Sequence, residues 1–347
     1  MGEKGSVCVT GAGGFLASWL VKLLLSKGYK VHGTVREPDD EKNAHLKKLE
    51  RAEENLHSSR PTCWTMALLS AAITGCSGVF HVASPGLLLL AINEALTYNY
   101  TYAQRIFCGG FLGPASHITI LQVDLIEPAV TGTVNVLKAC SEAGVKRVVV
   151  VSSGAAILMN PNWPKDKVMD EDCWSDEQYC KTTENWYCAS KTIAERAALQ
   201  YLDKNNLDVI TVCPTLILGP LLQSTANASS LFLVKLLKGG LETMENKTRV
   251  IVDVRDVAEA LLLTYEKPEA SGRYICAPHI IQIRNLVGKL RSMYPNYKYP
   301  KNFTDSAGDV KISSEKLKRL GWQCRPLEET LVNTVECFQK AGLLNND

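Results

Sequence analysis

Apolar positions along this chain alternate between short strand-like runs and longer stretches at helical spacing. Residues 6–10 form a brief apolar run that ends in glycines, and residues 15–26 then repeat apolar side chains with a helix period. A second strand is expected at 30–36, close enough to form a β-α-β unit with parallel strands and a right-handed crossover. Further strands are expected at 78–83, 147–152 and 208–213, with helices at 127–142 and 184–205 between them. After Gly219-Pro220 the elements shorten to runs at 249–253 and 272–277 and a closing helix at 328–341. The pattern predicts an α/β fold: a Rossmann-type doubly wound parallel sheet over 1–219 and a smaller C-terminal lobe, mainly for substrate, over 220–347.

Two stretches break the order. Residues 57–68 (HSSRPTCWTMAL) stand where a third strand belongs, yet show neither alternation nor a buried-strand run. Residues 86–122 are long, apolar and poor in charge where a short connection is usual.

Composition narrows the class. Hydrophobic residues make up 46% and charged residues 21%, values of a packed globular chain. Lys+Arg 38 against Asp+Glu 36 leaves a net charge of +2, which gives no broad surface for nucleic acid or anionic membrane, so any anion must be held locally. No secretory leader or bilayer-spanning run is read, the twelve cysteines are scattered and the six histidines dispersed. A cytoplasmic chain with no metal site is therefore expected.

Chemistry enters at Thr10-Gly11-Ala12-Gly13-Gly14-Phe15-Leu16-Ala17, between the first strand and the first helix. A turn without Cβ atoms lets backbone approach a pyrophosphate, and the helix behind it offers unpaired N–H groups and a positive dipole end. Gly11 is assigned the tight turn, Gly14 the close approach and Ala17 the helix-to-sheet packing. The second strand ends in Arg36 rather than the carboxylate that would read an unmodified ribose. Arg36, with Lys42 nearby, favours a 2′-phosphate and hence NADPH/NADP; the alternative is a solvated arginine beside Glu37.

Tyr187 and Lys191 in NWYCASK stand four apart and share a helix face. An ammonium there is expected to lower the phenol pKa, making Tyr187 a proton donor to a carbonyl as hydride arrives. Of Ser152 and Ser153, which close the VVVVSS strand, Ser153 is chosen to hold the carbonyl oxygen.

Together with GVFHVASP, MNPNWP, CWSDEQYC, PTLILGP, VDVRDVAEA and GRYICA, these residues resemble the extended short-chain dehydrogenase/reductase family, in particular its plant cinnamoyl-CoA reductase-like and dihydroflavonol reductase group. The resemblance implies that Val82, Ala83 and Ser84 line the path from adenine ribose to nicotinamide, that Pro214, Thr215, Leu216 and Ile217 pass over the nicotinamide, and that Ser229 lies near the cofactor. Lys191, on the face of Tyr187, is also expected to bond the nicotinamide ribose. The resemblance further implies that the substrate is a small aromatic molecule: a carbonyl or CoA thioester of phenylpropanoid type, or a dihydroflavonol or other ketone or aldehyde. The group's NWYCYGK is here NWYCASK, with Ala189-Ser190 in place of Tyr-Gly, which weakens the thioester reading. Cys180 and Cys188 resemble a pair that joins in such reductases; two free thiols are the alternative.

Against the same relatives, 57–68 replaces a segment like LFKADLLDYGS, whose Asp reads adenine. From the third base of the His57 codon to the second base of Leu68, allowed wobble choices spell LFKADLLDYGS, which points to a local frameshift. The family pattern resumes at Val123 directly after Leu121-Gln122, where a splice-acceptor CAG can be encoded, so 86–122 reads as a retained intron, or else a genuine loop insertion. As written, the chain is expected to lose a central strand and the adenine-binding Asp, leaving a weakened reductase or an impaired dinucleotide-binding protein.

Overall fold

The computed structural model describes residues 4–38, 40–59, 66–84, 125–205, 207–239, 242–305 and 309–344. Seven strands form one parallel sheet: β1 (Lys4–Thr10), β2 (Tyr29–Thr34), β3 (Leu56–Ser59), β4 (Gly78–His81), β5 (Arg147–Val151), β6 (Asp208–Pro214) and β10 (Gly272–Cys276), in the order β10-β6-β5-β4-β1-β2-β3. The central strands β1, β4, β5 and β6 alternate their apolar side chains between two cores. Val7, Val9, Val31, Phe80, Val149 and Ile210 meet α1 (Phe15–Ser26) and the helix Val254–Glu266 on one face. Cys8, Val79, Val148 and Val209 meet the helices Met66–Ile73, Glu127–Glu142 and Trp186–Asn205 on the other. This is the doubly wound α/β sheet that the alternation predicts.

Three short strands, β7 (Leu216–Leu218), β9 (Thr248–Asp253) and β11 (His279–Gln282), make a second sheet, and β8 (Thr243–Glu245) pairs with β12 (Asn302–Thr304). Their core joins Phe232, Leu236, Ile251, Leu286, Leu331 and Phe338. A division at 219/220 puts Val254–Glu266 and β10 with this lobe; the structure returns both to the large sheet. Trp19 Nε1 donates to the Pro220 carbonyl at 2.8 Å, so α1 is tied directly to the segment that leads into the lobe.

The third strand exists, contrary to the expectation of its loss. Leu56 to Ser59 pair in parallel with Val31 to Thr34. The strand lies at the sheet edge, not its centre, and His57 and Ser58 are exposed. Backbone pairing carries such a strand, so its side chains need no apolar run. The adenine-reading position and the 86–122 stretch lie outside the described residues.

Candidate active site

β1 has β2 on one side and β4 on the other, so chain order reverses at its carboxyl end, the position at which doubly wound sheets bind ligands. The glycine turn sits there. Gly11 has φ +68°, and a Cβ would lie 3.0 Å from Ala83 Cα, so both conformation and space call for glycine. Gly11 N–H donates to Thr34 Oγ1 and Ala12 N–H to Thr34 O, which fastens the turn to β2. Gly14 precedes α1 without a capping side chain, and no acidic residue occupies the first turn. The first N–H groups of a helix have no intrahelical acceptor, so this end suits a phosphate.

Thr10 joins the turn to β4. Its Oγ1 accepts Val82 N–H and Ala83 N–H, each at 3.1 Å, which leaves its proton for His81 Nδ1 at 2.9 Å. The network then places the single ring proton on Nε2, facing Thr133 Oγ1 at 3.4 Å, and Thr133 donates to Ala129 O. Burial, with the Lys191 charge second, pushes His81 down to about 4, so it is neutral at physiological pH.

Arg36 is exposed just beyond β2. Lys42 Nζ pairs with Asp40 at 2.5 Å, so any 2′-phosphate clamp from Lys42 competes with that carboxylate. Asn43, which spacing did not single out, is buried, donates to Glu37 O and stands where a Cβ on Gly13 would go. A lone buried amide after an Asp-Glu-Lys run leaves no periodic signal.

Ser152 and Ser153 follow β5 directly, and their roles separate. Ser153 Oγ accepts Ala155 N–H at 3.1 Å and the Tyr187 Oη proton at 3.2 Å. Ser152 Oγ turns away to Glu195 at 2.7 Å. Gly154 is packed against Thr215, where a Cβ would sit 2.9 Å from its Cγ2, and Thr215 N–H donates to Cys276 O. The ends of β5, β6 and β10 thus meet beside Tyr187. Leu216 and Ile217 continue into β7, while Ser229 is half-buried in the first turn of the helix Ala228–Lys238. Ser84, beyond β4, is exposed.

Burial pushes Tyr187 up to about 12, with the Ser153 bond acting the other way. Lys191 is not among the groups that shift it, so the expected lowering of the phenol by the ammonium is not what the structure shows. Lys191 is itself pulled down to about 8 by burial, and the charge of Glu195, one turn further along, opposes that fall. Desolvation of a phenolate outweighs an ammonium one turn away. Cys180 and Cys188 are free thiols sharing a hydrogen bond, which draws Cys180 below the usual thiol range and pushes Cys188 above it. Among the described residues no cluster of metal-ligating side chains occurs, and no helix is long and apolar enough to cross a membrane.

Residues 117–281 match the model of the NAD dependent epimerase/dehydratase family, and residues 8–70 match that of GDP-mannose 4,6 dehydratase. Cinnamoyl-CoA reductase 1 of Petunia hybrida is 43% identical over 342 residues, covering 97% of this chain and 93% of the relative. The chain belongs to the extended short-chain dehydrogenase/reductase family. Within it, this is a cinnamoyl-CoA reductase-like member. Vestitone reductase from alfalfa superposes with a TM-score of 0.78 at 29% identity, covering 98% of this chain and 100% of that one. A yeast methylglyoxal/isovaleraldehyde reductase solved with NADPH superposes with a TM-score of 0.75 at 26% identity, covering 97% and 99%.

Proposed function

We propose that this chain is a cytoplasmic, NADPH-dependent reductase of a carbonyl or CoA thioester in a small phenylpropanoid-type molecule. The observation that carries the reading is the Tyr187 Oη to Ser153 Oγ bond of 3.2 Å at the strand ends, with Lys191 one helical turn on. NADPH, when bound, supplies the hydride. The protein's share is to hold the substrate oxygen and move a proton to it. Ser153 Oγ, steadied by Ala155 N–H, anchors that oxygen beside Tyr187, and Tyr187 Oη gives its proton as negative charge develops. Lys191, one helical turn on, would bond the nicotinamide ribose.

Gly11, Gly14 and the uncapped start of α1 fit the pyrophosphate, with Thr10, Gly13, Phe15, Leu16 and Ala17 shaping that seat. Arg36 and Lys42 would take the 2′-phosphate, and Val82, Ala83, Ser84, Pro214, Thr215, Leu216, Ile217 and Ser229 the remainder of the nucleotide. The lobe around β7, β9 and β11 would shape the substrate side. Three substrates separate the readings by NADPH oxidation at 340 nm: feruloyl-CoA, an aromatic aldehyde and a dihydroflavonol. Turnover of feruloyl-CoA is expected; its absence alongside turnover of either other substrate retires the thioester. That second reading, a ketone or aldehyde reductase, is favoured by Ala189-Ser190 in NWYCASK. NADPH binding without turnover of any substrate would mark an impaired dinucleotide-binding protein.

A further inference from the structure

Tyr187, Lys191 and Glu195 recur every fourth residue along the helix Trp186–Asn205, so the three share one face. The third is a buried carboxylate that the reaction does not touch. Glu195 is 1% exposed and accepts from Ser152 Oγ at 2.7 Å, Thr211 Oγ1 at 2.7 Å, Cys213 Sγ at 3.2 Å, and Arg273 Nε at 2.8 Å and Nη2 at 3.3 Å. Every donor comes from another element: Ser152 precedes Ser153 beyond β5, Thr211 and Cys213 lie on β6, and Arg273 lies on β10. Arg273 is itself held by the Glu171 and Cys173 carbonyls and stacks 3.5 Å from the Trp174 ring centroid.

A buried ion pair is a poor device for stability alone, since desolvation consumes most of its attraction. Its position suggests another use. We propose that Glu195 is a positioning residue that keeps Lys191 charged and fixes the helix that carries Tyr187 against the serine end of β5. The inference rests on Lys191 serving the proposed reduction. Among the described residues, the titratable groups facing Lys191 are Tyr187 and Glu195 on its own helix, Cys213 on β6 and His81 on β4, with Arg273 behind Glu195. Cys213 is pushed well above the usual thiol range by burial, and His81 is neutral, which leaves Glu195 as the carboxylate in the set. Burial alone drives Lys191 towards the free amine, and Glu195 opposes it.

Competitive acetylation of Lys191 against pH, read by mass spectrometry without substrate or NADPH, gives its midpoint independently of turnover. The wild type is expected near 8. Glu195→Gln removes the attraction and should lower the midpoint by about one to two units. The alkaline limb of kcat/KM should move down with it. Arg273→Met removes a competing cation and should move both the other way. A merely structural role would leave the midpoint in place or move it alike in both variants, and either result overturns the proposal. Glu195→Asp, which keeps the charge, should restore the limb. A chain that folds in neither variant also overturns it, because the pair would then serve the fold. An inactive wild type whose midpoint shifts as expected would count against the reductase reading and leave this one standing.

Discussion

A phenol enclosed by protein keeps its proton. Tyr187, pushed up to about 12 by burial, is therefore an acid with a proton to give throughout the physiological range. Replacing Tyr187 by Phe removes that proton while Ser153 retains its bond from Ala155 N–H. Turnover with the best of the three substrates should fall about 10²–10⁴-fold, with little change in melting temperature. A rate within a few-fold of wild type would remove Tyr187 from the reaction. His81 carries a second consequence. Its folded value of about 4 lies below the 6.5 of an exposed imidazole, so between those values the unfolded chain binds a proton that the folded chain refuses. Stability should thus fall as pH drops from 6.5 to 4, by about 3 kcal/mol in all. Urea unfolding at pH 7 and 4.5 measures this, and His81→Gln should flatten the slope; an unchanged slope would mean another group is responsible.

At the level of elements, the glycine turn is held from three sides: by Thr34, by Ala83 and by the 37–45 segment through Asn43. Gly13→Ala should force Asn43 out of its buried seat and weaken NADPH binding about tenfold, about 1.4 kcal/mol, with Asn43→Gly restoring part of the loss. Fluorescence titration tests this, and equal affinity for Gly13→Ala and wild type would show that Asn43 yields freely. The turn, α1, the serine end of β5 and the Tyr-x-x-x-Lys helix were legible because each combines a period with a residue type that few other settings demand. β3 was not, since an exposed edge strand is paid for by backbone bonds that leave no apolar pattern. Glu195 was missed for a related reason. A glutamate four residues after a lysine on a helix reads as a solvent-facing ion pair, and only the strands that surround it reveal burial. Its spacing from Tyr187 was the available signal.

Across the described residues, the chain crosses between the seven-stranded and three-stranded sheets more than once, and Asp256 helps to hold the crossing. Asp256, 1% exposed on Val254–Glu266, accepts Arg325 N–H at 2.8 Å and pairs with the Arg325 guanidinium, while Trp322 Nε1 donates to Asp256 O at 2.8 Å. Asp256→Ala would remove the buried partner of Arg325 and its bond to Arg325 N–H, leaving the guanidinium to Glu259 and Glu329, and should lower stability by about 1–2 kcal/mol, read as a fall in melting temperature. A change under about 0.5 kcal/mol would place Asp256 among ordinary surface positions. The return of β10 to the large sheet escaped the sequence because a parallel strand and a lobe strand of the same apolar composition read alike; contacts distant in sequence decide between them. The Trp19 bond to Pro220 has a practical outcome of its own. Displacement at either end would alter the surroundings of this indole, one of six tryptophans, so the difference in emission between wild type and Trp19→Phe isolates a built-in optical reporter of the joint between α1 and the lobe.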